Sequence, residues 1–135
     1  MFRAVRLGGR MMEIHTVTLD CARPYELAEW WSEAIGWPLV DSAPDDDEVM
    51  LENPHGPPHV LFIRVPEDKT VKNRTHLDLA PQDGRTRNEE VERLVKLGAT
   101  VQGDHRRPDG AGWVTLFDPA GNEFCLVRSA AERVI

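Results

Sequence analysis

Two stretches of the chain alternate apolar and polar residues in the manner of β-strands. The first is TVTLDC (16–21) and the second is HLDLA (76–80). Successive side chains of a strand point to opposite faces of a sheet, so each stretch predicts a strand with one apolar and one polar face. The polar positions that this alternation places on one face are Thr16, Thr18, Asp20, His76 and Asp78.

A helix-like segment that ends at a glycine follows each strand. Residues 24–35 repeat apolar side chains at helical spacing and stop at Gly36, a residue suited to the left-handed position past a helix end. About residues 86–97 show the same spacing and stop at Gly98. Thr86, with a glutamate three positions later, fits a capping box at the start of this second helix.

Three strand-like segments with turn residues between them follow each helix. They are WPLVDSA, EVMLEN and HVLFIRV in the first half, and ATVQGDH, WVTLFD and EFCLVR in the second. The order strand, helix and three strands therefore occurs twice. This order predicts an α+β fold class made of two βαβββ modules.

The same repeat predicts the domain organisation. We expect a single domain over 12–129, with module one at about 12–66, a polar linker at about 66–74 and module two at about 75–129. We expect the remaining residues to form a disordered or frayed N-terminal extension (1–11) and a tail (130–135).

Composition excludes several classes of partner. The 135 residues carry a net charge of −7 and no basic stripe, which argues against nucleic acid and anionic membranes and favours neutral or cationic small ligands. No apolar run is long enough to span a membrane, and the basic N-terminus lacks the apolar core of a secretory signal. We therefore expect a cytoplasmic protein in which Cys21 and Cys125 are free thiols.

Three segments in this order resemble the vicinal oxygen chelate superfamily, and more closely its bacterial glyoxalase-like domains and bleomycin-resistance-like proteins. They are VTLDCARPYELAEWWSEAIGW (17–37), KNRTHLDL (72–79) and DPAGNEFCLV (118–127). The resemblance covers about residues 12–129. It implies that the two modules form a curved mixed sheet, a cup or half-barrel, with the helices on the outside.

The resemblance also implies positions for metal ligands, one each from the first and last strands of each module. His76 matches such a ligand, whereas Thr16 and Cys125 stand at two other ligand positions. The strand HVLFIRV has no Glu or Gln for the fourth, and whether His15 or His59 points into the pocket is left open. Threonine is a poor ligand for transition metals, so the pattern predicts the remnant of a metal site.

The predicted function is the binding of a small metabolite or drug-like molecule in a polar concave pocket. The predicted ligand contacts are Thr16, Thr18, Asp20, Trp113 and Cys125, and Trp113 can stack on a flat ligand. His76 and Asp78 are the catalytic candidates, because an imidazole beside a carboxylate can act as a general base near pH 7.

Two enzymatic alternatives remain open. The first is a metal-dependent glyoxalase, epimerase or dioxygenase type of enzyme with an unusual ligand set, and the second is a metal-free acid–base lyase or isomerase. We expect no cofactor, and the alternative is a divalent zinc, nickel or iron ion. Because the resembling proteins often dimerise, we also expect a homodimer.

Overall fold

The computed structural model describes residues 8–133 and contains ten elements of secondary structure. The chain divides into two compact units, the first ending at Arg64 and the second beginning at Val65. The elements in chain order are β1 (Thr16–Cys21), α1 (Pro24–Ile35), β2 (Glu48–Leu51), β3 (His59–Arg64), β4 (Leu77–Leu79), α2 (Arg87–Leu97), β5 (Thr100–Asp104), β6 (Val114–Phe117), β7 (Glu123–Leu126) and α3 (Ala130–Arg133).

The first unit holds a mixed three-stranded sheet in the order β1–β3–β2. Strand β3 pairs with β1 in parallel and with β2 in antiparallel orientation. Helix α1 packs on this sheet. The core of the unit is apolar and includes the buried side chains of Cys21, Leu27, Ala28, Trp31, Val49, Leu51, Val60 and Phe62.

The strand predicted from WPLVDSA is wrong. In this segment only Leu39 forms a bridge, opposite Leu51. Pro38 has no N–H to donate, and the Ser42 hydroxyl donates back to the Val40 carbonyl at 2.9 Å, which turns the chain. The segment therefore pairs with β2 around this one bridge, through two backbone hydrogen bonds of Pro38 and Val40, and does not extend into a strand.

The ends of the two long helices follow the predicted signals. Helix α1 begins at Pro24 and ends before Gly36, which adopts the left-handed conformation with φ of 78°. At the start of α2, the Thr86 side chain accepts a hydrogen bond from the Glu89 N–H and the Glu89 carboxylate accepts one from the Thr86 N–H. The capping box is confirmed.

The second unit holds a mixed four-stranded sheet in the order β4–β7–β6–β5. Strand β7 pairs with β4 in parallel and with β6 in antiparallel orientation, and β5 is the antiparallel partner of β6. One face of this sheet is apolar and buried, with Val114, Leu116, Phe124 and Leu126 each at most 3% exposed. The two mixed sheets and their helices confirm the α+β fold class.

The tail predicted for residues 130–135 contains the short helix α3. The Glu132 carboxylate accepts hydrogen bonds from the Ser129 and Arg87 backbone N–H groups at 2.9 and 2.7 Å, which joins this segment to the start of α2. Among residues 8–133, no helix is both long enough and apolar enough to cross a bilayer.

Candidate functional site

A cluster of three potential metal-ligating side chains lies on the sheet of the second unit. His76 precedes β4, Asp78 lies within β4, and Cys125 lies in β7. One ligand-type atom from each residue lies within 4.8 Å of those of the other two. His76 Nε2 is 3.3 Å from Asp78 Oδ1. The structure therefore brings together three of the predicted site residues.

Strand register explains why these residues meet. Asp78 lies opposite Cys125 across the β4–β7 pair, and Cys125 lies opposite Thr115 across the β7–β6 pair. Directly opposed residues point to the same face of a sheet. Thr115 Oγ1 is 3.3 Å from Cys125 Sγ, so the row of polar groups runs without interruption across three strands. We call the face that carries His76, Asp78, Cys125 and Thr115 the polar face of the second unit.

The Cys125 thiol is held in its protonated form. Burial raises the pKa of this thiol, and the Asp78 carboxylate raises it further through its negative charge and a hydrogen bond, although the Thr115 hydroxyl acts in the opposite direction. Because the thiolate is the nucleophilic and metal-binding form, the raised pKa lowers the reactivity of Cys125 at neutral pH.

His76 and Asp78 are open to solvent, with 38% and 60% of their side chains exposed. Asp78 lies beside Nε2, which leaves Nδ1 as the ring nitrogen that can face a ligand. The pair can accept or donate a proton there, and Asp78 offers a second oxygen to a hydrogen-bond donor.

The donor types of this cluster fit a zinc ion. Imidazole, thiolate and carboxylate all bind zinc, and a catalytic zinc site uses three protein ligands. Zinc bond lengths place tetrahedral ligands roughly 3.3–3.8 Å apart. The spread of 4.8 Å would have to contract and the thiol would have to lose its proton, whereas the 3.3 Å between His76 Nε2 and Asp78 Oδ1 already fits. The third donor is Asp78, for which the sequence predicted an acid–base role.

Another carboxylate of β7, Glu123, is buried and already engaged. Its two oxygens accept hydrogen bonds from Lys69 Nζ and from the Asn73 backbone N–H, both at 2.9 Å. Burial opposes ionisation of Glu123, but these two donors outweigh it and hold the pKa of the carboxyl below its usual range. Glu123 therefore ties the linker to β7 and is not free to bind a ligand.

The predicted ligand contacts of the first unit lie on β1. Thr16, Thr18 and Asp20 alternate with Val17, Leu19 and Cys21, as the pattern predicted. Their partners on β3 are His59 for Thr16 and the apolar Leu61 and Ile63 for the other two. The ligand-binding role of these three residues stays a prediction.

The two histidines left open by the sequence lie beside Thr16. His15 lies just before β1, so the alternation of side chains along the strand does not determine which way it points. Its Nδ1 is 2.6 Å from Thr16 Oγ1. The His15 and His59 rings meet edge to face with centroids 5.7 Å apart. His59 Nδ1 accepts a hydrogen bond from the Asn53 N–H at 3.1 Å, which occupies one of its two nitrogens.

Trp113 directly precedes β6, is 38% exposed and is stacked on a neighbour that the sequence did not single out. The rings of Trp113 and His105 lie 4.8 Å apart with an interplanar angle of 26°. The sequence signal for His105 is its spacing of two residues from Gly103 of β5, which places both on one face of the extended chain.

Comparison with known proteins identifies the family of the chain. Residues 16–127 match the glyoxalase-like domain family. No curated protein matches the chain.

Solved structures share its fold. A possible glyoxalase from Bacillus cereus is 16% identical with a TM-score of 0.64, covering 87% of this chain and 99% of that one. Lactoylglutathione lyase from Agrobacterium tumefaciens is 17% identical with a TM-score of 0.62, covering 94% and 100%. A glyoxalase/bleomycin resistance protein/dioxygenase superfamily member from Sphaerobacter thermophilus is 20% identical with a TM-score of 0.62, covering 87% and 97%. The chain belongs to the glyoxalase-like domain family, within the vicinal oxygen chelate superfamily.

Proposed function

We propose that the protein binds a small metabolite or drug-like molecule on the polar face of the second unit, and that it does so without a resident metal ion. The observation that carries this proposal is the continuous row His76, Asp78, Cys125 and Thr115, set on a sheet whose opposite face is buried and apolar. A folded sheet does not need such a row for its stability, because one apolar face suffices for burial.

The row offers a ligand a distinct set of interactions. Asp78 accepts hydrogen bonds, His76 Nδ1 accepts or donates one according to the tautomer, and the Thr115 hydroxyl does either. The neutral Cys125 thiol adds a soft, weakly polar surface between them. The protein's net charge of −7 favours neutral or cationic ligands over anions.

A metal-dependent activity is the second candidate, and the observation that favours it is the three donor atoms within 4.8 Å. His76, Asp78 and Cys125 would hold the ion. A bound zinc ion would supply Lewis-acid polarisation of a ligand oxygen. In that case the hydrogen bond between Thr115 and the Cys125 sulfur would orient the thiolate.

Thermal melting of chelator-treated protein with a panel of neutral and cationic compounds tests the first candidate. A ligand at 100 times its Kd stabilises the protein by about 2.7 kcal/mol, which corresponds to roughly 8–10 °C in Tm for a domain of this size. The His76→Ala variant should lose most of this protection, whereas His55→Ala, in an exposed turn of the first unit, should retain it.

Two results would decide against the first candidate. A panel that leaves Tm unchanged, or protection that is equal in His76→Ala, would contradict binding on this face. Calorimetric binding of one zinc ion per chain that His76→Ala and Cys125→Ser both abolish, together with ligand protection that appears only with zinc, would favour the second candidate instead.

A further inference from the structure

We infer that His105 and Trp113 form a stacking subsite on the polar face of the second unit, which takes a flat, fused aromatic ring carrying hydrogen-bond donors and a positive charge. This inference rests on the proposed function and extends it to the chemical class of the ligand. The stack, its placement on the sheet and its anchoring each support it.

The placement of His105 follows from a glycine in β5. Gly103 lies directly opposite Thr115, so a side chain at position 103 would point to the polar face. A Cβ atom added there would lie 2.9 Å from His105 Nε2, which means that the imidazole occupies the space that Gly103 leaves open. His105 therefore lies on the same face as Thr115 and Cys125.

The loop that carries Trp113 is held by a buried arginine. The Arg87 guanidinium, at the start of α2, donates to the carbonyl oxygens of Gly110, Ala111 and Gly112 at 3.0, 3.3 and 3.0 Å. The His105 N–H donates to the Trp113 carbonyl at 2.9 Å and closes the base of the loop. The backbone that carries the two rings is thus held before a ligand arrives, which lowers the entropic cost of binding.

The charge and size of the ligand follow from the neighbouring groups. The faces of the Trp113 indole carry negative charge density and attract cations. The Asp78 carboxylate can accept a hydrogen bond from a donor at the opposite end of the ligand. Arg106 beside the stack is paired with Asp104 at 2.9 and 2.7 Å, so its charge is largely satisfied. Strand spacings put the Trp113 and Asp78 backbones about 12 Å apart, a distance suited to two or three fused rings with amino groups.

The test uses proflavine, a flat tricyclic cation with two amino groups, titrated into the full chain and followed by fluorescence anisotropy. We expect a Kd in the micromolar range, weakened about fivefold by His105→Ala and similarly by Gly103→Ala, which displaces the imidazole without altering its chemistry. Gly103 has no positive φ, so alanine is compatible with its backbone. His105→Phe should retain the affinity because it keeps a stacking ring.

Matched controls separate this inference from the proposed function. His55→Ala should leave the Kd unchanged, and the anionic naphthalene dye 8-anilinonaphthalene-1-sulfonate should bind at least tenfold more weakly than proflavine. Unchanged affinity in His105→Ala and Gly103→Ala, with weakened binding in Asp78→Asn, would overturn the subsite and leave the proposed function standing. Unchanged affinity in all three variants would count against both, and no proflavine binding below 1 mM would overturn the assigned ligand class.

Discussion

The two units share one strand pattern, but they differ in the side chains on the sheet faces opposite their apolar cores. In the first unit, Thr18 and Asp20 of β1 lie opposite the apolar Leu61 and Ile63. In the second, Asp78, Cys125 and Thr115 lie opposite one another in a single row. The buried faces are alike, since Phe62 and Phe124 are both almost fully buried.

This difference separates what the fold requires from what a site requires. The alternation of apolar residues is enough to specify a sheet that buries one face. The other face is free to diverge, and within residues 8–133 a cluster of three ligand-type side chains occurs in the second unit, at His76, Asp78 and Cys125. The second unit is therefore the place where changes should affect binding, whereas changes to either core should affect stability.

The largest expected effects test the likeness of the two cores. Phe62→Ala and Phe124→Ala should each lower the free energy of unfolding by about 3–5 kcal/mol, because each removes a large buried ring. Urea unfolding followed by circular dichroism measures both. A decrease in the free energy of unfolding of less than about 1 kcal/mol in one variant would contradict the similarity of the two apolar faces.

The next effect concerns the Arg87 side chain, which holds the loop 110–112 of the second unit. Arg87→Met should lower the free energy of unfolding by about 2–3 kcal/mol, because it removes three hydrogen bonds from a side chain that is 3% exposed. Arg107→Met, at an exposed position of the same loop, should change it by less than about 0.5 kcal/mol. Equal effects of the two variants would contradict the anchoring role.

Glu123→Gln should lower the free energy of unfolding by about 2 kcal/mol at pH 7, because the charged carboxylate accepts two hydrogen bonds in a buried position. The folded-state pKa of Glu123 is lowered below 4.5, so this contribution is fully present above about pH 4.5 and is lost as pH falls through the lowered pKa.

Urea unfolding of the wild type and of Glu123→Gln over pH 3–7 measures this contribution. Their difference should shrink toward acid pH, and Glu48→Gln on the exposed end of β2 should show little difference at any pH. A difference between wild type and Glu123→Gln that stays constant with pH would show that the carboxylate's charge is not involved.

The smallest effect compares a threonine from each sheet. Thr115→Val should lower the free energy of unfolding by about 1 kcal/mol. It should also raise the pKa of the Cys125 thiol further, because the hydrogen bond with the Thr115 hydroxyl lowers that pKa. Thr18→Val, on the exposed face of β1, should change stability by less than about 0.5 kcal/mol. The rate of Cys125 alkylation by iodoacetamide between pH 7 and 10 follows the pKa, and a faster rate in Thr115→Val would contradict this contact.

Sequence patterns predicted the elements that depend on local chemistry. The helix over 24–35, the Thr86 capping box and the glycines that end the helices are all confirmed, because these signals act within a few residues. Residues 37–43 did not follow the prediction, since extended pairing depends on a partner strand and the segment meets β2 at only one bridge.

The candidate site could be predicted only in part. Parity along a strand placed His76 and Asp78 on one face, and the family resemblance placed Cys125 at a ligand position with His76, but only register across strands added Thr115 to the row. The spacing from Gly103 predicts the face on which His105 lies, but its stack could not be predicted from nearby residues, because it depends on the Trp113 ring eight residues away.

The most direct test of the second unit as the ligand site is an NMR titration of ¹⁵N-labelled, chelator-treated protein with the compound that raises Tm most. We predict that the largest backbone amide shift changes occur at Asp78, Thr115 and Cys125. Largest changes along β1, from Thr16 to Cys21, with these three amides unmoved, would contradict the account.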